Sequence, residues 1–177
     1  MKKIISAIAI TLMMLPAAAQ QKKKFSTHLE FIQQPTIADR TPMNNPWGSG
    51  LGLQARFFPF EKFSPLIEIA GFVYFAKYKI AYTDANDNVL PSVDGMANFF
   101  AGVAYKPGTT FYFSIAGGPS IVSSQTLFGI KPALGLYFSP SQKWKAQVAY
   151  LNVFNRGYGE NKKNFESVGL SIGLKLF

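Results

Sequence analysis

At 177 residues and without cysteine, the chain is sized for one domain and excludes both a disulfide-stapled scaffold and a lipidated N-terminal cysteine. Charged residues make up only 15% of it, against ~25% in an average globular domain, and aromatic residues make up another 15%. The formal charge is +9, yet no Lys/Arg face with interleaved aromatics stands out, so no nucleic-acid partner is expected.

Met1-Lys-Lys3 is a basic head, Ile4 to Leu15 is a nearly continuous apolar run, and Pro16-Ala-Ala-Ala19 supplies small residues. This is the order of a signal peptide over residues 1–19, with cleavage before Gln20. The apolar run falls well short of the ~20 residues that a spanning helix needs. Residues 20–177 then form the domain, and the formal charge drops to +7 as Lys2 and Lys3 leave.

Eight runs with a period of two follow, each a predicted strand with one greasy face. Phe25, Thr27, Leu29 and Phe31 alternate with Ser26, His28, Glu30 and Ile32. Leu51, Leu53, Ala55 and Phe57 alternate with Gly50, Gly52, Gln54 and Arg56. Ile67, Ile69, Gly71, Val73 and Phe75 oppose Leu66, Glu68, Ala70, Phe72 and Tyr74. The fourth run sets Phe99, Ala101, Val103 and Tyr105 against Asn98, Phe100, Gly102 and Ala104. The fifth sets Phe111, Phe113 and Ile115 against Tyr112, Ser114 and Ala116. The sixth sets Phe128, Ile130, Leu134, Leu136 and Phe138 against Gly129, Lys131, Ala133 and Gly135, and Pro132 within it predicts a bulge. The seventh sets Trp144, Ala146, Val148 and Tyr150 against Lys145, Gln147 and Ala149. The last, Val168 to Phe177, carries Val168, Leu170, Ile172, Leu174 and Leu176 on one face and small or polar residues on the other.

Connections alternate in length. After the second, fourth and sixth runs they are short and contain proline, at 58–64, 106–109 and 139–142. After the first, third and seventh they are long and polar, at 33–46, 76–93 and 155–164, while 119–125 is brief for its side. Short turns on one side and longer loops on the other are the habit of outer-membrane barrels, which places both termini in the periplasm. The residues opposite the greasy face are largely Gly, Ala and Ser, as a narrow eight-stranded interior requires. The predicted fold is all-β: an eight-stranded antiparallel up-and-down transmembrane β-barrel.

In this pattern, residues 24–177 resemble the small eight-stranded outer-membrane β-barrel family, the OmpA-barrel or OmpX-like group. The terminal Phe177 resembles the C-terminal signature of such barrels, although it falls in phase with Lys175 and Gly173 rather than with the greasy face. The resemblance implies the outer membrane of a Gram-negative bacterium, outer-membrane lipids as surroundings and the barrel-assembly machinery as a partner. It is specific for fold and nonspecific for role.

Four roles are carried forward. The first is a structural or surface-interaction protein acting through external loops. Arg40, Trp47, Lys77, Tyr78, Lys79, Arg156, Tyr158, Lys162 and Lys163 are its candidate loop contacts, with lipopolysaccharide phosphates or a protein as partner. The second is a narrow, porin-like channel. The third is a lipid A-modifying enzyme, which resembles this chain in architecture but uses His with Ser and an acid near the external rim. Here the one histidine, His28, points inward beside Glu30, so no enzyme is expected. The fourth rests on Thr110-Phe-Tyr-Phe-Ser-Ile115 and the Gly-Leu-Lys ending, which loosely resemble outer-membrane barrels of conjugal-transfer operons. No cofactor or metal is expected: Asp84-Ala-Asn86-Asp-Asn88 echoes a calcium loop but has Val89 and Gly95 where Gly and Glu belong.

Phase also points Glu30, Arg56, Glu68 and Lys131 inward, with Gln54 and Asn98. Two acids and two bases make a self-neutralising interior ionic network that plugs the lumen. Arg56 is expected to meet Glu68, and Glu30 to meet Lys131 across the barrel.

Overall fold

The computed structural model describes residues 24–38, 47–75, 82–83, 89–90, 93–122, 125–156 and 163–177. Residues 1–19, the calcium-loop echo at 84–88, and Arg40, Lys77, Tyr78, Lys79, Tyr158 and Lys162 lie outside them.

The strands are β1 (Phe25–Ala38), β2 (Trp47–Phe57), β3 (Phe63–Phe75), β4 (Tyr82–Thr83), β5 (Val89–Leu90), β6 (Val93–Tyr105), β7 (Phe111–Val122), β8 (Gln125–Tyr137), β9 (Trp144–Arg156) and β10 (Lys163–Lys175). Among the described residues β4 and β5 form a separate two-stranded sheet. The other eight close into a barrel in the order β1-β10-β9-β8-β7-β6-β3-β2, all antiparallel. β1 closes the ring, with Phe31 opposite Leu51 on one side and Ile172 on the other. Closure leaves no row of unpaired backbone groups, each of which would cost several kcal/mol in lipid.

Burial is inverted relative to a water-soluble protein. Leu51, Phe63, Phe111, Phe128 and Leu170 are more than half exposed on the outer wall, while Glu30, Arg56 and Glu68 are 1% exposed inside. A lipocalin-like barrel would hide its greasy face. This wall presents it, as a transmembrane barrel does.

Several strands run further than the sequence pattern indicates. β1 continues through Gln33 and Gln34 to Ala38, where a loop is expected from residue 33. The polar glutamines read as loop, but Gln34 points into the barrel and donates to the Tyr74 hydroxyl at 2.5 Å. The loops expected at 76–93 and 155–164 likewise give up Val93, Asn155, Arg156, Lys163 and Asn164 to strands. β7 absorbs Pro119 and runs to Val122, so residues 123–124 alone separate it from β8. Pro119 has no N–H to give, and the β6–β7 ladder skips Phe99 and Phe100 opposite Gly118 and Pro119. Gly118, at φ +155°, lets the strands approach: a Cβ there would sit 2.3 Å from the Phe99 carbonyl oxygen. The bulge expected at Pro132 is absent. Ile115 stays opposite Pro132 in the unbroken β7 ladder, and the β8–β9 ladder resumes in the same register, from Ile130 with Asn152 to Ala133 with Ala149.

The interior has two storeys. Toward the long connections lies an apolar layer that includes Ile32, Phe72, Met96, Phe100, Leu151, Val153 and Phe165. Toward the short turns lies a polar layer with His28, Glu30, Gln54, Arg56, Glu68, Lys131, Lys145 and Gln147. Small inward residues make room for large ones on neighbouring strands. A Cβ on Gly135 would lie 2.1 Å from Tyr112 Cζ, and one on Gly173 would lie 2.8 Å from Lys145 Cε.

Candidate functional site

The polar storey is the one cluster of buried charge among the described residues, and strand phase builds it. A chain of contacts crosses the lumen from β10 to β8. Ser171 donates to Glu30 Oε2 at 3.2 Å, and Glu30 is ion-paired with Lys145. Lys145 Nζ donates to Gln54 Oε1 at 2.6 Å, and Gln54 Nε2 donates to Glu68 Oε2 at 3.2 Å. Glu68 closes the chain in an ion pair with Lys131. Six of the eight barrel strands contribute one residue each.

The expected partners are exchanged. Arg56 does not meet Glu68, and Glu30 takes Lys145 rather than Lys131. The turn after β2 is tight, at residues 58–62, which sets Gln54 opposite Glu68 and Arg56 opposite Leu66. Arg56 instead donates from Nη1 to the Tyr137 hydroxyl at 2.6 Å, and its guanidinium lies 3.9 Å over the Tyr112 ring centre. Tyr112 in turn donates to Gln147 Oε1 at 2.8 Å. Sequence reasoning left Lys145 out of the network, although its phase with Gln147 and Ala149 places it inside. With Lys145, and with Lys106 in the covering turns, the buried charges are Glu30 and Glu68 against Arg56, Lys106, Lys131 and Lys145, an excess of two positive charges rather than neutrality. Asn98 is buried as its phase indicates, but without a partner on Oδ1.

The short-turn opening is covered from inside. His28 Nε2 donates to the Gln142 carbonyl at 2.9 Å. Gln142 Nε2 and Lys106 Nζ both donate to the Pro59 carbonyl, at 3.4 and 2.9 Å. Phe58 and Gln142, at φ 55° and 57°, hold left-handed backbone in these turns. Burial first, and the nearby Arg56 second, pull the Lys106 ammonium below its usual pKa of 10.5.

Of the candidate loop contacts, Trp47 is described and about half exposed at the start of β2. Its indole donates to Gln33 Oε1 at 2.5 Å, and Ser49 donates to the same oxygen at 3.0 Å. Arg156 and Lys163 are backbone register partners at the ends of β9 and β10. No group of three His, Cys, Asp or Glu able to hold a metal occurs among the described residues.

Closed topology, outward grease and a filled polar interior define the class: the chain has the fold of the small eight-stranded outer-membrane β-barrels. It is similar to Ail, the attachment invasion locus protein of Yersinia pestis, at 10% identity over 86% of this chain and 97% of that one, with TM-score 0.55. Neisserial surface protein A aligns at 14% identity over 86% and 96% of the two chains, with TM-score 0.52. A de novo designed transmembrane β-barrel aligns at 8% identity over 85% and 95%, with TM-score 0.50. At such identities the likeness is one of fold alone, and the designed barrel shows that the fold can be had without any inherited role. No protein-family model matches the chain, and no curated protein matches it.

Proposed function

We propose that the protein is a closed barrel of a Gram-negative outer membrane with a structural or surface-interaction role, carried by the segments at its long-connection end. The observation that carries this reading is the filled lumen: an ionic layer bridging six strands beneath an apolar layer leaves function to the rims. In this reading both termini face the periplasm and the barrel-assembly machinery inserts the chain after signal-peptide removal. Basic and aromatic residues near the long connections, Trp47 among those described, then meet lipopolysaccharide phosphates or a protein partner. Ail and Neisserial surface protein A are named for attachment and for the surface; a comparable surface role is proposed for this chain. A non-enzymatic role is supported by the single histidine, which is fully buried and bonded to a turn carbonyl.

The test has two arms. Purified protein in planar bilayers should give no steady conductance, and a stable open level would favour the narrow channel instead. Cells expressing the chain with a tag at residue 22 should not be labelled by a membrane-impermeant probe; labelling of intact cells would reverse the assigned orientation.

A further inference from the structure

We propose that the short-turn end of the lumen holds a small monovalent anion, of halide size, against Arg56. Both buried carboxylates are already engaged, Glu30 by Lys145 and Glu68 by Lys131. Among the described residues no carboxylate pairs with Arg56, which is 1% exposed. Its Nη1 is used by Tyr137 and one face by Tyr112, yet Nε and Nη2 have no partner. Two unfilled N–H groups on one guanidinium form a fork suited to an acceptor.

The surroundings add donors. Ser26 sits opposite Arg56 in the β1–β2 ladder, fully buried, with its hydroxyl unpartnered. His28, the next inward residue on β1, spends its Nε2–H on the Gln142 carbonyl, so its unpartnered Nδ1 is an acceptor; its ring lies 6.0 Å from the Tyr137 ring. Lys106 brings a further positive charge to the covering turns. Gln142 Oε1 and His28 Nδ1, acceptors without a partner, call for donors, and water beside the ion would serve them.

Charge decides between an anion and water alone. Water would satisfy the N–H groups but would leave the interior with its excess positive charge. An uncompensated charge in a low-dielectric enclosure costs several kcal/mol, whereas a monovalent anion compensates Arg56, the buried cation with neither a carboxylate nor a turn carbonyl, while Lys106 is held by the Pro59 carbonyl. The cover formed by Pro59, Lys106 and Gln142 favours a compact ion over a phosphate ester.

The test uses the mature protein, purified and refolded in detergent with gluconate as the only anion, then titrated with bromide at constant ionic strength. The expected result is a thermal unfolding midpoint that rises with bromide, and an anomalous-scattering peak within hydrogen-bond reach of Arg56 in bromide-soaked crystals. Arg56→Gln should abolish both. Ser26→Ala, which leaves the guanidinium and the fold in place, should weaken bromide binding roughly tenfold. A midpoint indifferent to bromide, or density at Arg56 with no anomalous signal, overturns the proposal.

Discussion

Glu68 receives the Lys131 ammonium on Oε1 and the Gln54 amide on Oε2, so one carboxylate on β3 ties β8 and β2 together across the lumen. Both partners of the ion pair are almost fully enclosed, with side-chain exposures of 9% and 2%. Such a pair is stable against rearrangement because either partner alone would be a stranded charge.

Glu68→Gln or Lys131→Met alone should therefore destabilise the barrel by ~3–5 kcal/mol. The double variant should lose much less than the sum. Guanidinium unfolding in phospholipid vesicles measures the cycle, and additive losses would show that the pair does not act as a unit.

Gly135 is set by its neighbour across the strand. Tyr112, fully buried and pinned between Arg56 and Gln147, cannot swing away from a new methyl group. Gly135→Ala should cost ~1–3 kcal/mol by overpacking, and Tyr112→Leu on that background should recover part of it. Unfolding midpoints of the two variants settle the point.

Lys106 gives a pH dependence with a definite sign. Its pKa in the folded protein lies below its usual 10.5, so over the interval between those values the unfolded chain binds more protons than the native one. Stability must rise with pH across that interval and level off above 10.5. Subtracting the profile of Lys106→Gln from that of the parent isolates the effect, and a difference that falls with pH would contradict it.

Trp47 stands at the rim on a single acceptor that it shares with Ser49. Gln33→Ala should free the indole, lowering its fluorescence anisotropy while shifting stability by no more than ~1 kcal/mol. Unchanged anisotropy would mean that packing rather than Gln33 holds the ring.

The period of two determined which face of each strand meets lipid. One register slip exchanges the faces, so a chain with Leu29, Leu51, Ile67 and Leu170 on one side and Glu30, Gly52, Glu68 and Ser171 on the other has one workable closure. The barrel and its inward charges were legible for that reason. Strand ends were less so. Gln33 and Gln34 read as loop because their polarity serves the lumen and the rim rather than solvent, and Pro119 reads as a turn although a skipped ladder accommodates it. Partner choice inside the lumen was decided by tertiary structure alone. Phase states that Arg56, Glu68, Glu30 and Lys145 share an interior, but the tight turn at 58–62 offsets Arg56 from Glu68, and the ring's closure carries Lys145 to Glu30. The layering has the same origin. Phe72, Phe100, Leu151 and Phe165 are far apart in the chain, and barrel shear stacks them into one apolar floor above the charges.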